Sequence, residues 1–113
     1  MKIYHFPRCS KSRAGLKYLQ DKGHEPEIIQ YLKDHPFTEE SLRNVLMKLN
    51  EEPQNIIRTQ EKVYKDHFKG KQFTRDEWIK ILVENPRLIQ RPIVETRQKA
   101  VIGNPPENID ALL

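Results

Sequence analysis

Residues 2–31, KIYHFPRCSKSRAGLKYLQDKGHEPEIIQY, decide the fold. "KIYHF" is short and rich in β-formers, and Pro7 follows it, so a first strand is expected to run to about residue 6 and end in a turn. Ala14, Leu16, Tyr18 and Leu19 then alternate with charged residues, and Gly23 supplies a C-terminal stop, which predicts a helix over about residues 11–22. "EPEIIQY" reads as a second strand. Two strands joined by one helix of about three turns make a βαβ unit, whose strands run parallel with a right-handed crossover.

Beyond Asp34 the period changes. Leu42, Val45, Leu46 and Leu49 fall at helical spacing after Thr38, a suitable N-cap, and predict a helix over about residues 39–49. The stretch from Pro53 to His67 reads as helical with weak patterning. "TRDE" at Thr74–Glu77 is a capping box opening a further helix, with Trp78, Ile81 and Leu82 on one face and Asn85-Pro86 as its end. "PIVE" and "AVIG", separated by "TRQK", predict an antiparallel hairpin, and "NPPENIDALL" a closing helix with Asn104 as cap, Pro105 at N1 and Glu107 at N3. The expected fold class is therefore α/β with a mixed sheet: a βαβ unit, a helical insertion at about residues 34–88, a hairpin and a C-terminal helix. That order is thioredoxin-like, and residues 1–113 are read as a single domain.

The chain has 113 residues, 36% of them hydrophobic and 32% charged. This length supports a core without metal or disulfide staples, and no apolar run approaches the ~20 residues a bilayer requires. The net charge of +4 is spread through mixed stretches such as "RNVLMKLNEE" rather than gathered in a block, which argues for a solvated surface over a nucleic-acid-binding one. "MKIYHF" lacks the features of a secretory signal, and one cysteine forms no internal disulfide, so a reducing, cytoplasmic setting without a membrane is expected.

That cysteine, Cys9, carries the chemistry. A solitary cysteine is most often a small buried hydrophobe, but this one lies between the end of a strand and the start of a helix, where unpaired backbone N–H groups favour negative charge. A free thiol with a pKa of about 8.5 is only about 3% ionised at neutral pH. A helix terminus usually contributes about 0.3–1 kcal/mol, whereas each unit of pKa depression requires about 1.4 kcal/mol. Nearby cations are needed, and Arg8, Lys11 and Arg13 supply them. With the hydroxyls of Ser10 and Ser12, the same loop could hold an oxyanion beside the sulfur. A tyrosine-phosphatase loop would need arginine at position 15, which is glycine. His5, His24, His35 and His67 show no metal-ligand spacing, so no metal is expected. C-x-x-C is absent because Ser12 occupies the second position, and an external thiol must therefore resolve any adduct on Cys9.

Four ordered segments, "IYHFPRCSKSR", "IIRTQE", "ENPRLIQRPIV" and "AVIGNPPE", resemble the ArsC-type arsenate reductase family that couples to glutathione and glutaredoxin within the thioredoxin-like fold. The resemblance covers nearly the whole chain. It implies that Cys9 attacks arsenate, that Arg58 and Arg91 hold the anion, that Pro92 is the cis-proline beside the cysteine, and that His5 helps hold the thiolate. Glutathione is the implied co-substrate and glutaredoxin the implied partner, with no bound cofactor. Phe6 stands where the family usually has Asn, and Asn104 where an arginine is common. Two other readings remain open: a glutaredoxin-like thiol transferase without arsenate specificity, since monothiol exchange needs one cysteine, and a regulatory binding protein resembling the Spx regulators of RNA polymerase.

Overall fold

The computed structural model describes residues Met1–Leu113. Its elements begin with β1 (Lys2–Tyr4), α1 (Ser10–Asp21) and β2 (Glu27–Ile29). Helices α2 (Glu39–Leu49), α3 (Lys62–His67) and α4 (Arg75–Glu84) follow, then β3 (Ile93–Glu95), β4 (Ala100–Ile102) and a closing 3₁₀ helix, Pro106–Leu112. The four strands form one sheet in the order β2-β1-β3-β4. β1 pairs with β2 in parallel, Ile3 opposite Ile28, and with β3 antiparallel, Ile3 opposite Val94. β3 and β4 form the expected antiparallel hairpin. The fold is thus the α/β, thioredoxin-like mixed sheet.

Chain contacts divide the molecule into two compact units, Met1–Pro36 with Arg91–Leu113, and Phe37–Gln90. In the sheet unit, Ile3 and Val94 project from one face onto Leu19 of α1 and Ile109 of the closing 3₁₀ helix, and all four are fully buried. Fully burying such side chains stabilises by about 1.5–3 kcal/mol each. On the opposite face the Tyr4 hydroxyl donates to Glu95 Oε1 at 2.7 Å, both residues being buried. Burial and then the Glu95 carboxylate hold the Tyr4 phenol well above its ordinary range, so it remains protonated and a donor.

In the helical unit, Thr38 and Thr74 each form a reciprocal capping box, with Ser41 and Glu77 respectively. Each box satisfies backbone donors at a helix start. Asn50 ends α2 in the left-handed conformation, φ 55°. The buried side of α4 is Trp78, Ile79 and Leu82 rather than Trp78, Ile81 and Leu82. At about 100° per residue, Trp78 and Leu82 lie about 40° apart, and Ile79 and Ile81 flank them on opposite sides, each about 60° beyond; the Ile79 side is the one that is fully buried.

Other boundaries moved as well. β1 stops at Tyr4: His5 N still donates to Ile29 O of β2 at 2.9 Å, but Phe6 commits its N–H to Ser12 Oγ and its carbonyl to Cys9 N in the loop that follows. The weakly patterned stretch 53–67 splits into a 3₁₀ turn at Pro53–Ile56, an antiparallel bridge between Ile57 and Ile89, and the short α3. The closing helix is 3₁₀ and begins at Pro106, with Pro105 in the cap position expected of Asn104. The Asn104 carbonyl instead accepts from Asn108 Nδ2, which also donates to Ile102.

Candidate active site

Cys9 is the N-cap residue of α1, extended at φ −93° and ψ 123°. Its carbonyl accepts the first helical bond, from Arg13 N at 3.0 Å, and its own N–H donates to the Phe6 carbonyl at 3.0 Å. These two bonds lock the backbone on both sides of the sulfur. Serine, threonine, aspartate and asparagine are favoured at an N-cap because their side chains accept from the N2 and N3 amides. Here the side chain is a thiol, and N2 and N3 are Lys11 and Ser12.

The thiol makes no side-chain cap hydrogen bond, and its pKa shows what the surroundings favour. Partial burial pushes it up, but the Ser12 backbone amide, the Arg91 guanidinium by hydrogen bond and charge, and the Lys11 amide together bring it below the ordinary thiol value. The site therefore favours thiolate. Arg91 is buried, 5% exposed. Burial works against its charge, while hydrogen bonds to Cys9 and Tyr31 outweigh that and hold the guanidinium firmly protonated. The ring of Phe6 lies under the same guanidinium, 4.8 Å from its central carbon.

Ser12 is fully buried and is used twice. Its backbone amide acts on the sulfur, while its hydroxyl accepts the Phe6 N–H at 3.0 Å and lies 2.6 Å from His5 Nδ1. Its side chain is thus part of the loop's internal bonding. His5, also buried, is held below its usual pKa by burial first and then by Arg13, with Ser12 opposing. A neutral ring suits a partner that can donate or accept, as the serine hydroxyl can. Arg13 donates from Nη1 to the Pro7 carbonyl at 2.9 Å, which closes the loop from the helix side. Ser10 and Lys11 are exposed at the start of α1.

The Arg91–Pro92 peptide is cis. Pro92 is buried among small residues: a Cβ on Gly15 would come within 2.6 Å of the proline Cγ, and one on Gly103 within 3.2 Å. Gly15 thus lets α1 approach the start of β3 closely enough to bring Cys9 to Arg91. This role escaped the sequence reading, although a glycine in the interior of a helix is a signal of close packing. Tyr31 and the contact of the Phe6 ring with Arg91 were also missed, since neither follows from local spacing.

Arg58 lies in the helical unit. Its N–H donates to Leu88 O, and its guanidinium approaches Glu61 at 3.6 Å. Arg58 Nε is buried without a hydrogen-bond partner. The Ile57–Ile89 bridge and the bond from Gln90 N to Ile56 O tie the "IIRTQE" segment to the "LIQ" residues that precede Arg91.

Fold and loop together define a thioredoxin-like thiol protein, with a single cysteine at the helix start and an arginine beside it. The sequence profile of the ArsC family matches residues 4–112, and the chain belongs to that family. It is 36% identical over 115 residues to the arsenate reductase of Neisseria meningitidis, spanning 100% of this chain and 97% of the relative. It is 40% identical over 111 residues to YfgD of Escherichia coli, an uncharacterized protein, spanning 96% and 92% of the two chains. Among solved structures, the arsenate reductase from Vibrio cholerae superposes with a TM-score of 0.93 at 36% identity, covering 99% of this chain and 96% of that one.

Proposed function

We propose that the protein reduces arsenate, or a closely related oxyanion, through Cys9 with glutathione as co-substrate. The observation that carries this reading is the N-cap cysteine facing the Ser12 and Lys11 amides and the Arg91 guanidinium. A thiolate in that setting is a nucleophile, and the donors that favour its charge also suit the oxygens of a tetrahedral anion. Arginine matches such oxygens with paired, permanently charged donors. The family resemblance adds Arg58 to the anion ligands.

In the proposed cycle the Cys9 thiolate forms a sulfur–arsenic bond as one arsenate oxygen leaves as water. A glutathione thiolate then attacks the Cys9 sulfur. The electron pair of the sulfur–arsenic bond passes to arsenic, which falls from the +5 to the +3 state and leaves as arsenite. Cys9 is left as a mixed disulfide with glutathione. A second thiol, on glutaredoxin, attacks the glutathione sulfur and frees Cys9. No other cysteine in the chain can take that step, and the reductant is accordingly external.

Arsenite release from arsenate with glutathione and glutaredoxin present is the direct test. Turnover by the native protein and its loss in Cys9→Ser is the expected result. No native turnover, or turnover that survives Cys9→Ser, overturns the assignment. Glutathionylation of Cys9 without arsenate turnover would instead identify a thiol transferase.

A further inference from the structure

We propose that Phe6 is a positioning residue, whose ring lies beneath the Arg91 guanidinium and restricts how that group addresses the Cys9 sulfur. The inference rests on the reading of Cys9 as the reacting thiolate and goes beyond it by naming the residue that aims its arginine.

Geometry carries the argument. The Phe6 ring centroid is 4.8 Å from Arg91 Cζ, within the range of a cation–π contact. A guanidinium directs its N–H donors in its own plane, and its faces are weakly hydrated. The Phe6 ring carries no lone-pair acceptor to compete with Cys9 and Tyr31 for those donors. Burial strengthens the effect, since Arg91 is only 5% exposed and little water is available to compete.

The ring is itself well anchored. Phe6 N donates to Ser12 Oγ at 3.0 Å, and Phe6 O accepts from Cys9 N at 3.0 Å. The residue whose ring lies under the arginine is therefore the one whose backbone spans the cysteine turn. Its ring also helps wall a pocket of about 370 Å³ formed by His5–Arg8 together with Gln30, Leu32 and Lys33. A polar amide at position 6 would offer no π face and would add a group able to compete for the guanidinium donors.

The test measures Cys9 directly, by the pH dependence of iodoacetamide alkylation, and needs no arsenate. Phe6→Leu, which keeps an apolar side chain but removes the ring, is expected to raise the apparent Cys9 pKa and slow alkylation at neutral pH about threefold to tenfold. Phe6→Tyr is expected to restore the native profile. In an Arg91→Ala background, Phe6→Leu should add nothing further, which separates positioning from general loosening of the loop; thermal unfolding of each variant confirms that folded protein is being compared. An unchanged profile in Phe6→Leu overturns the proposal, as does a Phe6→Tyr profile as shifted as that of Phe6→Leu, or an equal penalty in the Arg91→Ala background. A native Cys9 that titrates as an ordinary thiol overturns the thiolate reading itself, whereas a low native pKa unaffected by Phe6→Leu overturns only the role of Phe6.

Discussion

Cys9 and Ser12 divide the work of the loop in a way that their side chains alone do not reveal. The Ser12 amide acts on the sulfur, while the Ser12 hydroxyl serves the Phe6 N–H and the His5 ring. Ser12→Ala is therefore expected to cost about 1–3 kcal/mol of stability, because it leaves buried polar groups without a partner. The Cys9 alkylation profile should stay close to native, since the backbone amide remains. Denaturant unfolding and alkylation measured on the same variant check both parts. A large rise in the Cys9 pKa with stability intact would show that the hydroxyl, not the amide, is the group that matters.

Helix α1 reaches Pro92 only because position 15 has no side chain. Gly15→Ala would place a methyl group within 2.6 Å of the proline Cγ, and the proline is held between α1 and Gly103 with no flexible neighbour to yield. Overpacking of this kind typically costs about 1–3 kcal/mol. The expected outcome is a melting temperature lower by several degrees, with slower alkylation of Cys9 as the start of the helix moves from Arg91. Tight packing at Gly15 thus links the interior of the element to the chemistry at its end. If Gly15→Ala melts at the native temperature, the close approach has no energetic weight.

At the scale of the whole molecule, both titrating groups of the loop give stability the same pH dependence. The Cys9 pKa is lower in the folded protein than that of an ordinary thiol, so folding favours loss of its proton. Its contribution is complete above the ordinary thiol pKa of about 8.5 and is lost as the pH falls through the lower folded-state value. His5 is likewise below its ordinary 6.5, so its contribution is complete above that pH and is lost on further acidification. Unfolding free energy measured across this range should rise with pH, and Cys9→Ser should remove the alkaline part of the rise while keeping the acid part. A native curve that is flat on the alkaline side would contradict the thiolate.

Local order was readable where one short segment contains its own cause. The βαβ unit, the "TRDE" capping box, the hairpin and the placement of Cys9 at a strand-to-helix junction all follow from spacing and from caps within a few residues. The helical segment between the second and third strands was recognisable from its change of period, and it forms a compact unit at Phe37–Gln90. The family resemblance had already brought Arg91 and Pro92 to Cys9, but only folding revealed the other contacts between residues far apart in the chain: Phe6 under Arg91, Tyr31 hydrogen-bonded to it, and Gly15 against Pro92. The physical reason is range. Caps and periodicity are interactions along a few residues of backbone, whereas the sulfur's electrostatic setting depends on a guanidinium brought in from more than eighty positions away by the pairing of β1 with β3.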